Sequence, residues 1–197
     1  LDAEYRSRLF DIGSSVHLRL EGLSLVNGST VWSGGAIGGE LRSAVTLTGV
    51  TIRDCHSGDV GGAVAAANIT LRDSALVNNT ASVGGAVDVS GIWPRLVMVN
   101  STMAANHADS VIRGWNAEVF IANSTIAGNV PETADAHAIN VKTLSLHNSI
   151  VADNGPTEDV VAMMPVQGDY NLIGVAEDLT WEAGHGAHTL AGTSAMP

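Results

Sequence analysis

Apolar and other residues alternate through a series of short runs. They read Leu18-Arg-Leu20-Glu-Gly22, Val45-Thr-Leu47-Thr-Gly49, Ile69-Thr-Leu71-Arg-Asp73, Leu96-Val-Met98-Val-Asn100, Val119-Phe-Ile121-Ala-Asn123 and Leu144-Ser-Leu146-His-Asn148. A period of two is the pattern of a strand with one buried face. Each run stops at Gly, Asp or Asn, which accept turn and left-handed backbone conformations. A second column follows in phase: Leu25, Ile52, Leu76, Met103, Ile126 and Val151. Three residues beyond it stand Gly28, Cys55, Asn79, Asn106, Asn129 and Asn154. A third point is marked by Gly34-Gly35-Ala36-Ile37, Gly61-Gly62-Ala63-Val64 and Gly84-Gly85-Ala86-Val87. Weaker echoes at Val111-Ile112-Arg113-Gly114 and Ala136-His137-Ala138-Ile139 extend it, in steps of 27, 23, 27 and 25 residues.

A repeat of about 25 residues with two or three short strands cannot bury its inward face alone. Stacking repeats about 4.8 Å apart buries a continuous, narrow core. The pattern therefore predicts a parallel β-solenoid of about seven turns between residues 8 and 174. The recurrent Asn79, Asn106, Asn129 and Asn154 are expected to form a ladder of stacked amides, each satisfying its neighbour. A helix does not fit, because Leu-x-Leu-x-Asn is not an i, i+3, i+4 pattern and β-branched residues abound. Residues 17–174 form the expected repeat region. Residues 1–16 are read as an N-terminal cap or the continuation of a preceding turn, and residues 175–197 as a final turn and C-terminal cap or tail.

Composition fits a thin core. Hydrophobic residues are 45% of the 197, aromatic residues 4% and charged residues 15%, against about 25% charged in an average soluble domain. Val, Leu, Ile and Ala must fill the interior, while Gly, Asn, Ser and Thr replace charge as the surface polar groups. Every apolar run is shorter than the ~18 residues of a membrane span. A net charge of −11, with a single lysine, argues against nucleic acid or an anionic membrane as partner. The lone Cys55 excludes an internal disulfide and is read as a buried structural thiol.

The pairing of Gly-Gly-Ala-Ile with an apolar-x-x-Asn element resembles polymorphic outer-membrane-protein repeats and the wider pectate-lyase-like group. The runs Asn123-Ser-Thr-Ile126-Ala-Gly-Asn129, Asn148-Ser-Ile-Val151-Ala-Asp-Asn154 and Asp169-Tyr-Asn171-Leu-Ile-Gly174 are similar to those of bacterial surface β-helix proteins. The resemblance covers about five-sixths of the chain. It implies an all-β fold, a right-handed single-stranded parallel β-helix, in an extracellular or cell-surface protein. It also implies that any enzyme on this fold would act on polysaccharide, through carboxylates clustered on the outer faces of adjacent turns.

No stacked outward acid pair is evident. Asp54 and Asp153 share a column but stand four turns apart, beyond the ~5–10 Å that glycoside hydrolysis requires. Arg53, Asp54, Arg72 and Asp73 make the best charged cluster, on two adjacent turns, and surface ion pairing explains it without a site. Glu132, Asp135, Glu158 and Asp159 fall in loops where carboxylates and carbonyls hold calcium, but no calcium-binding repeat accompanies them. His185-Gly-Ala-His188 has metal-like spacing without a clear third ligand. No metal or cofactor is expected. Trp32, Trp93 and Trp115 fall near the glycine pairs or their equivalents. Exposed rings there would stack on sugar or contact a partner protein, and buried ones would cover corners of the core. Asn-x-Ser/Thr sequons occur at Asn27, Asn68, Asn78, Asn100 and Asn123, although the repeat itself wants Asn at its turns.

The sequence thus favours a non-catalytic β-helix module, adhesive, glycan- or protein-binding, or a structural spacer. Its expected partners are a glycan, a surface protein, or neighbouring domains of a larger assembly. A polysaccharide lyase or glycoside hydrolase acting on acidic polysaccharide is the alternative.

Overall fold

The computed structural model describes residues 1–133, 136–155 and 157–193. It is an all-β parallel solenoid of about six turns. No helix occurs among the described residues.

Each turn opens with a five-residue strand: His17–Glu21, Ala44–Thr48, Asn68–Arg72 and Arg95–Val99 in the first turns. A single left-handed residue then turns the chain. It is Gly22, Gly49, Asp73, Asn100, Asn123 or Asn148, with φ between 47° and 64°. A three-residue strand follows, such as Thr51–Arg53, Ala75–Val77 and Thr102–Ala104. A second left-handed corner stands at Asn27, Asp54, Asn78, Ala105, Gly128 and Asp153. Asn, Asp and Gly tolerate this backbone at little cost, so the residues that end each run are there for conformation. Beyond this corner lie the Asn column, a short extended stretch, the glycine pair and a third strand, such as Val64–Ala66 or Val87–Val89.

The pairings between successive turns are parallel, and the two main apolar files keep the register the columns predict. Val45 faces Ile69, Ile69 faces Leu96, Leu96 faces Val119 and Val119 faces Leu144. Likewise Leu25, Ile52, Leu76, Met103, Ile126, Val151 and Ile173 stack in one file, each fully buried. Burying a side chain of this size stabilises by roughly 1.5–3 kcal/mol, and the files supply one after another without an aromatic ring.

One register differs from the repeat arithmetic. Ile112, not Gly114, stands between Val87 and Ile139, and Ser110 and Val111 hold the places opposite Gly85 and Ala86. The echo at Val111–Gly114 is therefore two residues late. That turn has no glycine pair to mark the corner. The strands Ser110–Ala122 and His137–His147 begin beyond that corner and run across the next one, joining two faces of the solenoid into one 11-stranded sheet. The pairing shifts register between Gly114 and Glu118.

In the tail, Leu190–Ala191 adds a parallel strand to Leu172–Ile173, and the half-buried Trp181 packs against the end of the core. Residues 194–197 lie outside the described residues.

Candidate functional site

The ladder is built from the backbone outward. Asn79, Asn106, Asn129 and Asn154 are buried. Each Nδ2 donates to a carbonyl of the preceding turn: Ile52, Leu76, Met103 and Ile126 in order. The Nδ2 groups of Asn79, Asn106 and Asn129 also donate to the next Oδ1, at 3.0, 3.0 and 2.7 Å. Cys55 takes the preceding rung. Its Sγ accepts from Gly28 N and faces Arg53 O, both at 3.3 Å, and burial pushes its thiol pKa up to about 11. At pH 8 iodoacetamide should alkylate native Cys55 more than ~100-fold slower than the unfolded chain, because the thiolate is the reactive form. Equal rates followed by mass spectrometry would contradict this burial.

Asp159, one of the residues considered for calcium, closes the other end of the ladder. It is buried, its Oδ1 accepts from Asn154 Nδ2 at 2.8 Å and its Oδ2 from Val175 N at 2.8 Å. Counting from the Val151–Ile173 register, the next rung falls at Ala176, so Asp159 supplies the acceptor that Ala176 lacks. Burial raises its carboxyl pKa. Asp135 of the same set lies outside the described residues. Among those residues, no group of three or more His, Cys, Asp or Glu side chains is placed to hold a metal ion. In the tail, His185 Nδ1 accepts from Gly168 N at 3.1 Å, and His188 stacks on Tyr170 at 4.8 Å.

A second ladder escaped the sequence reading. Ser74, Ser101, Ser124 and Ser149 are buried immediately after the first corner. Their hydroxyls donate to Arg72 O, Val99 O, Ala122 O and His147 O. They accept from Val50 N, Ser74 N, Ser101 N and Ser124 N of the preceding turn. The signal was present, since Ser101, Ser124 and Ser149 each follow a turn Asn.

The charged quartet divides between two corners. Arg53 pairs with Asp54, and Asp54 Oδ1 accepts from Asn78 Nδ2 at 2.7 Å. Asp73, at the other corner, accepts from Asn100 Nδ2 at 3.2 Å. On its own turn Asp73 is separated from Asn78, the counterpart of Asp54, by about 16 Å of extended chain. Arg53 with Asp54 and Arg72 with Asp73 are thus not brought together. Four sequon residues join these outer files: Asn78 and Asn100 as above, Asn27 donating to Asp2 Oδ1 at 3.0 Å, and Asn123 accepting from Asn148 at 2.8 Å. Asn68 begins a long strand and is half-buried.

The tryptophans also divide. Trp93 and Trp115 occupy the same corner on adjacent turns, because Asp88 faces Arg113 before it and Arg95 faces Glu118 after it. Trp32 stands at a different corner, beside Arg8, Asp11, Val31 and His56. All three are exposed, Trp93 the most at 87%. Trp93 also carries φ 57°.

From the Trp93 corner a groove runs over the outer face of the five-residue strands. Arg95, Glu118 and Thr143 face one another on three successive turns. They join a hollow of about 550 Å³ under Trp93 and Lys142 to one of about 710 Å³ lined by Phe120, Ser145, Met164, Gln167 and Glu182. The composition is that of a polar ligand surface: two cations, two carboxylates, hydroxyls and two apolar rings.

The fold and this surface define a class, a parallel β-solenoid with an exposed groove on one sheet face. No family model, curated protein or solved structure matches the chain.

Proposed function

We propose that the chain is a non-catalytic, extracellular or cell-surface β-solenoid module that holds a glycan along the outer groove beginning at Trp93. The observation that carries this reading is Trp93 itself. A tryptophan that covered a corner of the core would be buried, and this one is 87% exposed. It sits in a left-handed conformation that a bulky residue adopts only under constraint from its surroundings. The ring gains little from folding where it stands, and it stands where it can stack on the apolar face of a sugar. Arg95, Glu118 and Thr143 lie beyond it at the roughly 4.8 Å spacing of the turns, and provide both donors and acceptors for hydroxyl groups.

Trp93→Ala should lower binding on a glycan array at least ~10-fold, the effect of losing about 1.4 kcal/mol of stacking. Its circular dichroism should remain that of the native protein. Undiminished binding by this variant, or an array on which the native protein binds nothing, would refute the reading.

A further inference from the structure

Behind the same corner lies a smaller hollow of about 300 Å³, lined in part by Asp59, Asp88, Ser90, Arg113, Trp115 and Asn116. We infer that this pocket binds one neutral pyranose, as the terminal-sugar subsite of the glycan held by the groove. The inference rests on the glycan reading above.

The pocket is built by register. Asp88 and Arg113 are partners on adjacent turns of the third strand file, where the two turns before them carry Gly38 and Ala65. Two small residues give way to a facing charged pair, with Asn140 on the turn beyond. Asp88 is 2% exposed, and burial raises its carboxyl pKa. Ser90 donates its hydroxyl to Oδ2. Oδ1 is 3.6 Å from Arg113 Nη1, longer than a hydrogen bond. A buried carboxylate is costly unless its acceptor sites are filled, and at this distance Arg113 pairs with Asp88 by charge without donating a hydrogen bond to it. Arg113 instead stands 5.8 Å from the centre of the Trp115 ring, with open volume beside it. Asp59 stands on the rim, where it accepts from Ser33 Oγ at 2.8 Å.

The ligand chemistry follows from these groups. Asp88 and Asp59 accept, Arg113 and the Asn116 amide donate, and a vicinal diol does both. The exposed face of Trp115 suits the C–H face of a sugar ring. Two carboxylates against one guanidinium leave the lining net negative, which disfavours uronate, sulfate and phosphate groups. The volume is at the small end for ligand sites and suits one ring rather than a chain. Gly91, Pro94 and Asn116 line both this pocket and the Trp93 hollow, so a chain in the groove has its end within reach.

The test uses the full chain with a panel of methyl hexopyranosides, glucuronate and ethanolamine. Binding is followed by saturation-transfer NMR and tryptophan fluorescence. At least one neutral hexoside should saturate with a Kd of about 1 mM. Trp115→Ala, an exposed position that leaves the core intact, should weaken it ~10-fold. Asp88→Asn should weaken it ~10-fold or more, and Trp93→Ala less than ~2-fold. Saturation by glucuronate or ethanolamine in place of neutral hexosides would overturn the inference, as would unchanged binding in Trp115→Ala. A protein that binds polymers in a Trp93-dependent way but no neutral hexoside would refute this pocket alone. One that binds a hexoside through Trp115 but no polymer would refute the groove alone.

Discussion

Gly62→Ala is expected to destabilise the protein by about 4 kcal/mol or more, a large share of the ~5–15 kcal/mol that holds a typical domain together. The two glycines of each pair have different reasons to be glycine. Gly61 has φ +69° and needs the left-handed backbone. Gly62 is there for proximity. A Cβ on it would collide with the Gly85 carbonyl oxygen of the next turn and stand 2.7 and 2.8 Å from Thr80 N and C. All of these are backbone atoms in the hydrogen-bonded stack, where Gly62 N donates to Gly84 O at 3.1 Å and Thr80 N to Cys55 O at 2.9 Å. No rotamer change relieves the clash, so the turns must part. Gly128→Ala is the control. Its Cβ would meet nothing within 4 Å, and only φ +64° is unfavourable, a cost of about 1–2 kcal/mol. Urea unfolding of both variants separates the two effects. A Gly62→Ala midpoint as close to native as that of Gly128→Ala would show that the stack yields at this point.

The stacking was legible because inward residues obey a period. A Val or Leu facing a thin core is forced to recur on every turn, so the files from Val45 to Leu144 and from Leu25 to Val151 could be aligned without coordinates. The Asn ladder was legible for the same reason, since an unpaired amide inside would be costly. Where the constraint relaxes, the signal weakens. Without a glycine pair, the corner near Ser110 was placed two residues late. The serine ladder was hidden because Ser beside a turn Asn also reads as ordinary turn chemistry. Asp159 plugs a rung from outside its own repeat position, which no periodicity marks. Outward residues answer to solvent or ligand and carry no period. Trp32 could therefore not be separated from Trp93 and Trp115, and no period marked Asp88 as the partner of Arg113.

Asn106→Ala is expected to cost about 3–5 kcal/mol. Asn106 is fully buried, and its Oδ1 accepts from both Asn79 N and Asn79 Nδ2 at 3.0 Å. Its Nδ2 donates to Leu76 O at 2.9 Å and Asn129 Oδ1 at 3.0 Å. Truncation leaves the Asn79 backbone N–H without its acceptor and opens a cavity in the buried ladder. Each buried polar group left without a partner costs about 1–3 kcal/mol, and the cavity adds to that. Cys55 shows how a rung without an amide is held, by a thiol that reaches Gly28 N and Arg53 O; alanine reaches neither kind of partner. Asn106→Asp distinguishes lost donors from lost shape. The introduced carboxyl keeps the acceptor, but burial raises its folded-state pKa above the ~3.9 of the unfolded chain. It then binds more protons folded than unfolded, so the stability of the variant relative to native falls as pH rises from about 4 through that raised value. Paired urea titrations at pH 4 and pH 8 should therefore show a larger deficit at pH 8. A deficit independent of pH would mean that the rung is open to water, and a native midpoint for Asn106→Ala would mean that the ladder does not stabilise the stack.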